Sequence, residues 1–208
     1  MRGLFCILFR RIFSRLIRIE RVYFFETDPR LRTDPVVSRV PVEIRIATSA
    51  DIRLYADDLE RLSSIGPREA QELLDTGRLA YIALCHGSLS AVFWLGFGAQ
   101  IVSEIDMTLM LAADEACGFG LVTDEKWRGM GIMPAIYAAI YEYERGRGVT
   151  RHIYWIRADN APSIRVAEKT GRKLAATVTT FWVYGMRHAR KIGVPRNGSL
   201  RLVTLSDK

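Results

Sequence analysis

The chain has 208 residues, 49% hydrophobic, 10% aromatic and 25% charged, with a formal net charge of +7. A chain of this size and polarity buries its own core without a metal or disulfide staple, and it is neither disordered, collagen-like nor a repeat array. Cys6, Cys85 and Cys117 are scattered, and His86, His152 and His188 have no ligand-like spacing, which excludes a disulfide framework and a structural zinc site.

The charge is uneven. Residues 1–25 hold Arg2, Arg10, Arg11, Arg15, Arg18 and Arg21 against one acid, Glu20, and so supply most of the +7. The body is close to neutral and lacks a basic-aromatic stacking pattern, so nucleic acid is excluded as a partner. At about 100° per residue, Phe5, Leu8, Phe9, Ile12, Phe13, Leu16 and Ile19 share one face of residues 4–21. Arg10, Arg11, Arg15, Arg18 and Arg21 fall largely on the other, which predicts a basic amphipathic helix. The apolar run from Leu4 to Phe9 is far short of the ~20 residues of a membrane span, and no cleavage pattern follows it. Two readings stay open. The helix lies on an anionic membrane surface, or it packs on its own domain or a twin subunit in a homodimer. Either way the protein is expected in the cytoplasm, peripheral on the inner membrane surface in the first case.

Further elements follow in order. Tyr23-Phe24-Phe25 reads as a short strand and Asp28 to Pro41 as a linker, giving a leader over 1–41 and a single domain over 42–208. Val42 to Ala47 alternates as a strand; Ser49 caps a helix over 51–62, and a second helix spans 67–74. Two apolar runs, 78–85 and 88–95, flank His86-Gly87 as a hairpin. The stretch 96–113 has no clear period. Strands are expected at 116–123 and 151–157, helices at 134–147 and 162–170, and a final strand pair at 173–184. This alternation predicts an α/β fold, a mixed sheet with helices packed on it.

The chemistry concentrates in LVTDEKWRGMGIMPAI, residues 121–136. A strand ends near Thr123, a polar turn leads to Arg128-Gly129-Met130-Gly131, and a helix begins within a few residues. Glycines let backbone N–H groups approach a ligand, and a helix N-terminus adds unpaired N–H groups and partial positive charge, together an anion site. The loop is neither a Walker loop nor a dinucleotide fingerprint. After the next strand come Asn160-Ala161-Pro162-Ser163, a helix and Gly171.

With Arg128, Gly131, Asn160, Ser163 and Gly171 in this order, residues 42–185 resemble the GNAT acyltransferase superfamily. The resemblance implies the GNAT fold: a mixed, mostly antiparallel sheet of six to seven strands with flanking helices and a splayed acyl-CoA cleft. It implies acetyl-CoA or another acyl-CoA as co-substrate and a small-molecule or protein amine as acceptor. Arg128, Gly129, Met130, Gly131, Ile132 and Met133 would hold the pyrophosphate. The pantetheine arm would run beside Leu121, Val122 and Thr123, with a backbone N–H near Val122 polarising the thioester. Asn160 and Ser163 would complete the cofactor contacts.

Three positions depart from the family pattern: Met133 replaces a small residue, Arg172 an aromatic, and Ala167 stands where many members carry the tyrosine that protonates the leaving thiolate. That acid then falls to Tyr154, Tyr184 or water. An amine near pKa 10.4 must shed a proton before attack; in one branch of the family a glutamate about eleven residues before the loop's first Arg or Gln takes it, and counting back from Arg128 reaches Cys117, so the resemblance makes Glu115, two residues further on the same strand face, the base candidate. Cys117 as an acyl-carrying nucleophile is the minor alternative. The resemblance therefore points to direct acyl transfer to an amine. A catalytically silent acyl-CoA-binding module, or a membrane-surface enzyme using a long-chain acyl group or an acyl carrier protein, are the alternatives.

Overall fold

In the computed structural model the described residues are 17–31, 38–183, 186–191 and 200–204. Their elements are β1 (Ile17–Thr27), β2 (Glu43–Ile46), α1 (Ser49–Leu54), α2 (Ala56–Leu62), α3 (Pro67–Asp75), β3 (Leu79–Cys85), β4 (Ser88–Gly96), β5 (Ala99–Val102), β6 (Met107–Met110), β7 (Glu115–Thr123), α4 (Ile132–Gly146), β8 (Arg151–Arg157), α5 (Ala161–Lys169), β9 (Lys173–Val183), β10 (Met186–Lys191) and β11 (Arg201–Thr204). The chain divides into two units, one of residues 1–26, 101–110 and 155–208, the other of 27–100 and 111–154.

The second unit carries the sheet β2–β3–β4–β7–β8, antiparallel except for the parallel pair β7–β8. Its strands read as continuous apolar runs because both faces are covered. Tyr81, Ala83, Cys85, Ala91, Phe93 and Leu95 pack towards Ile132, Ile136 and Ile140 of α4. Ala80, Ile82, Leu84, Val92 and Trp94 alternate with them and meet Ile52, Leu59, Ile65 and Ala70 of the α1–α3 region. The period-2 geometry of a strand divides one sequence between two cores.

In the first unit β1 pairs antiparallel with β9 from Ile17↔Val183 to Glu26↔Lys173, and β10 covers the other side of β9. Val22 and Phe24 are fully buried opposite Val178 and Ala176. This corrects the expected N-terminal helix: residues 17–21 are strand, because pairing with residues 179–183 of β9 outweighs a helical charge pattern. Residues 1–16 of that expected helix lie outside the described residues. Among the described residues no helix is long and apolar enough to cross a membrane.

Three other expectations shift. The helix over 51–62 is two, because the chain leaves helical geometry at Tyr55. Its cap is Thr48, not Ser49. The stretch without period holds β5 and β6, and the final strand pair is β9 with β10, which begins after residue 184.

The α1 cap is the best-defined local device. Thr48 accepts the Asp51 N–H while Asp51 accepts the Thr48 N–H, a reciprocal capping box. Arg45 clamps the same carboxylate through two 2.6 Å contacts and holds it well below the usual carboxylate range. Arg45 is partly exposed, so screening leaves most of the value in the cap. Asp51→Ala, which removes the acceptor, should therefore cost about 1–2 kcal/mol at pH 7 in urea unfolding. Because the folded-state pKa is depressed, this contribution is present above about pH 4 and fades as pH falls further. The gap between wild type and variant should narrow in acid.

Candidate functional site

The site begins with one residue too many in β7. Ala91 and Val92 of β4 face Thr123 and Val122, but Trp94 faces Phe119, so Gly120 and Leu121 share the space opposite Phe93. This is a β-bulge, built on Gly120 in the left-handed region at φ +59°. A Cβ there would come within 2.8 Å of Ile65 Cδ1 and Trp94 Cδ1, so only glycine fits without movement. Leu121, just past the kink, is exposed, and Val122 and Thr123 are half-buried. On the other side β7 runs in register with β8 from Glu115↔Arg151 to Gly118↔Tyr154, which sets buried Tyr154 beside the residue two before the kink.

Beyond Thr123 the chain turns sharply. Asp124 is buried, its side chain accepts the Lys126 N–H, and Arg61 of α2 bridges to it at 2.9 Å. The Arg61 contact and the Lys126 N–H hold its carboxyl below the usual range against the desolvation that would raise it. A single 3-10 turn over Glu125–Trp127 follows. Arg128 folds back on this turn, donating to the Thr123 carbonyl at 3.2 Å and pairing with Glu125 at 3.1 Å.

Gly129 and Gly131 then take φ of +78° and +80°, and Gly131 caps α4. The helix starts at Ile132, two residues before the expected Pro134. Its first inward turn, Ile132 and Ile136, is fully buried and fixes the direction in which the N-terminus points. Among the described residues the N–H groups of Gly129, Gly131, Ile132 and Met133 have no hydrogen-bond acceptor, whereas Met130 N–H reaches Trp127 O at 3.4 Å. The Met130 carbonyl is tied down by the Arg39 N–H at 2.8 Å and the Ser38 hydroxyl at 3.1 Å. A Cβ on Gly129 would meet nothing within 4 Å, so the loop is open above that residue. Four unspent donors at the start of a 15-residue helix form a site for an anion.

The remaining sequence-predicted residues are placed separately. Glu115 stands at the start of β7, eight strand positions before Thr123 and roughly 25 Å away at the usual strand rise. Its Oε2 accepts the Ala112 N–H at 2.8 Å and its Oε1 pairs with Arg151 at 2.7 Å. Cys117 is fully buried, and burial pushes its thiol well up. Asn160, in the first unit, caps α5 by accepting the Ser163 N–H at 3.2 Å. Ala167 is buried in that helix. Tyr184 lies outside the described residues.

Sequence reasoning missed the pair behind the loop. Glu144 of α4 and His152 of β8 have no exposed surface and meet at 2.5 Å, Oε1 to Nδ1, among the rings of Phe93, Tyr137, Tyr141 and Tyr154. Neither residue type nor spacing announces this contact. The bulge did have a signal: Gly118 and Gly120, two apart inside an apolar strand run. Among the described residues no cluster of three or more His, Cys, Asp or Glu is arranged to hold a metal.

Comparison with known proteins gives a consistent result. The sequence model of the acetyltransferase (GNAT) family matches residues 54–171. A functionally unknown conserved protein of Staphylococcus epidermidis superposes with a TM-score of 0.55 at 11% identity, covering 86% of this chain and 68% of that one. A protein of Novosphingobium aromaticivorans described as a GNAT-family acetyltransferase gives 0.55 at 19% identity, covering 83% and 68%. A GNAT-family acetyltransferase of Colwellia psychrerythraea gives 0.56 at 10% identity, covering 86% and 62%. No curated protein matches the chain.

The kink can be tested without any ligand. Gly120→Ala forces a Cβ against Ile65 and the fully buried Trp94 in a left-handed conformation. A loss of about 1–3 kcal/mol is expected in urea unfolding.

Proposed function

Because the chain belongs to the GNAT acetyltransferase family, we propose that it transfers an acyl group, acetyl in the simplest case, directly from acyl-CoA to an amine. Membership implies the acyl-CoA co-substrate; the observation that carries the reading in this chain is the set of four unspent N–H groups leading into α4. Coenzyme A presents a pyrophosphate, and these amides match it in charge and in hydrogen-bonding sense. Arg128 stiffens the turn and leaves the contact to the backbone. The pantetheine arm lies along Leu121 to Thr123, where the bulge turns β7 aside. A backbone N–H near Val122 polarises the thioester carbonyl as the tetrahedral intermediate forms.

The chemistry is a proton exchange around one bond change. The amine nitrogen, having shed a proton, forms its bond to the acyl carbon. The C–S bond breaks with its electron pair going to sulfur, the sulfur takes up a proton, and the nitrogen, cationic after attack, gives up a second one; both amine protons pass to solvent. Tyr154 is the acid for that sulfur: it stands in register with Gly118 next to the kink, and Ala167 offers no alternative. Glu115 is held by Arg151 and the Ala112 N–H, so it acts as a strut at the base of β7 rather than as the base for the amine.

Gly131→Asp should abolish acetyl-CoA binding in isothermal titration, because it brings a side chain and a negative charge to a left-handed position meant for phosphate. Unchanged affinity would refute the loop assignment. Release of free CoA from acetyl-CoA with an amine panel tests turnover, and separates an enzyme from a silent binding module.

Tyr154→Phe should lower kcat about a hundredfold with little change in KM for acyl-CoA. For Glu115→Gln, a strut predicts a lower Tm and an unaltered pH–rate profile. A base predicts a kcat loss that shrinks as pH approaches the amine's own pKa.

A further inference from the structure

The β3–β4 hairpin reaches past the end of β7. Ala91 faces Thr123, the last residue of β7, and the Asp124 N–H donates to the Ser90 carbonyl at 2.9 Å. The two-residue tip, His86-Gly87, therefore stands beside the turn that carries the phosphate loop. Both tip residues have positive φ, +50° and +77°, the conformation that Asn-Gly usually fills. Histidine tolerates it less well than asparagine or glycine and here contributes a side chain that the turn itself does not need. That ring sits 6.1 Å from the Trp127 indole, and the Lys126 ammonium lies 5.5 Å from the same indole. Trp127 is two residues before Gly129.

The indole thus gathers two exposed basic side chains at the rim of the anion loop, and neither is in an ion pair among the described residues. The neighbouring Arg128 is already committed to Glu125 and the Thr123 carbonyl. The loop amides account for one anion, the pyrophosphate. Coenzyme A carries a second, the phosphomonoester on the 3′-oxygen of its adenosine, one ribose away. Resting on the pyrophosphate reading above, we propose that His86 and Lys126, held on Trp127, bind that 3′-phosphate. The site thereby selects coenzyme A thioesters over pantetheine thioesters that lack the nucleotide, such as those on carrier proteins.

Titration of the full-length protein with CoA and with 3′-dephospho-CoA tests this directly. The wild type should bind CoA about tenfold more tightly, the effect of one charge-assisted contact at an exposed site. Lys126→Ala and His86→Asn, the latter keeping the turn, should each cut that preference severalfold and leave the affinity for 3′-dephospho-CoA unchanged. Thermal unfolding of both variants checks that they are folded. Equal wild-type affinity for the two ligands would overturn the proposal while leaving the loop reading intact, because 3′-dephospho-CoA still carries the pyrophosphate. A preference that survives both substitutions would also overturn it. If neither ligand bound the wild type, the pyrophosphate reading and this proposal would fall together.

Discussion

A carboxylate and an imidazole meet between α4 and β8 with no solvent on either. Glu144 and His152 are both fully buried, and Glu144 Oε2 and His152 Nε2 have no hydrogen-bond partner among the described residues. Removing one member leaves a buried polar group of the other without its hydrogen-bond partner in a medium that cannot solvate it, a cost of about 1–3 kcal/mol. The pair therefore fixes the C-terminal half of α4 against the strand next to β7. Ile132 and Ile136 fix the other end against the same sheet. With both ends held, the helix has little freedom to swing, and the unspent amides at its start keep their aim. The His152 ring reaches back to β7 as well: a Cβ on Gly118 would lie 2.9 Å from its Nε2. One polar contact in an otherwise apolar layer thus ties together the helix, the parallel strand and the strand that kinks.

The loop itself is held by different means. Arg61 reaches from α2 to the buried Asp124, and Ser38 and Arg39 hold the Met130 carbonyl. Segments far apart in sequence converge on a turn of a few residues. The consequence is an anion site whose geometry is set by the backbone and whose neighbours are free to vary in chemistry. That arrangement suits a cofactor common to many reactions and an acceptor particular to one.

The loop was legible in the sequence because its chemistry is local. Gly129 and Gly131 are needed where φ is positive, and the helix start follows from the apolar spacing after them. The His86-Gly87 hairpin was legible for the same reason, and so was the alternation of strands and helices in the second half. What escaped was non-local. Glu115 and Arg151 are 36 positions apart, and nothing in either neighbourhood shows that a strand edge will bring them together. Residues 17–21 carry a charge pattern that fits a helix, while the force that makes them a strand comes from residues 179–183. Thr48 and Ser49 are both good caps, and only the reciprocal bond from Asp51 decides between them. The 3.6-residue pattern ran unbroken through Tyr55, and a helix that stops and restarts in one residue leaves no compositional mark.

The pairing of β1 with β9 bears on how the chain is made. Arg21 and Thr179, joined side chain to side chain across that ladder, are 158 positions apart. During synthesis at roughly 5–20 residues per second, β1 leaves the ribosome about ten to thirty seconds before its partner exists. For that interval Val22, Phe24 and Phe25 have no β9 to cover them, and the strand offers an unpaired edge to whatever is near. Ordering this ladder closes a loop of 158 positions, a step set by contact order rather than by local propensity. The second unit has shorter-range hairpins and can form meanwhile. The newborn chain thus has a window in which that strand is open to aggregation.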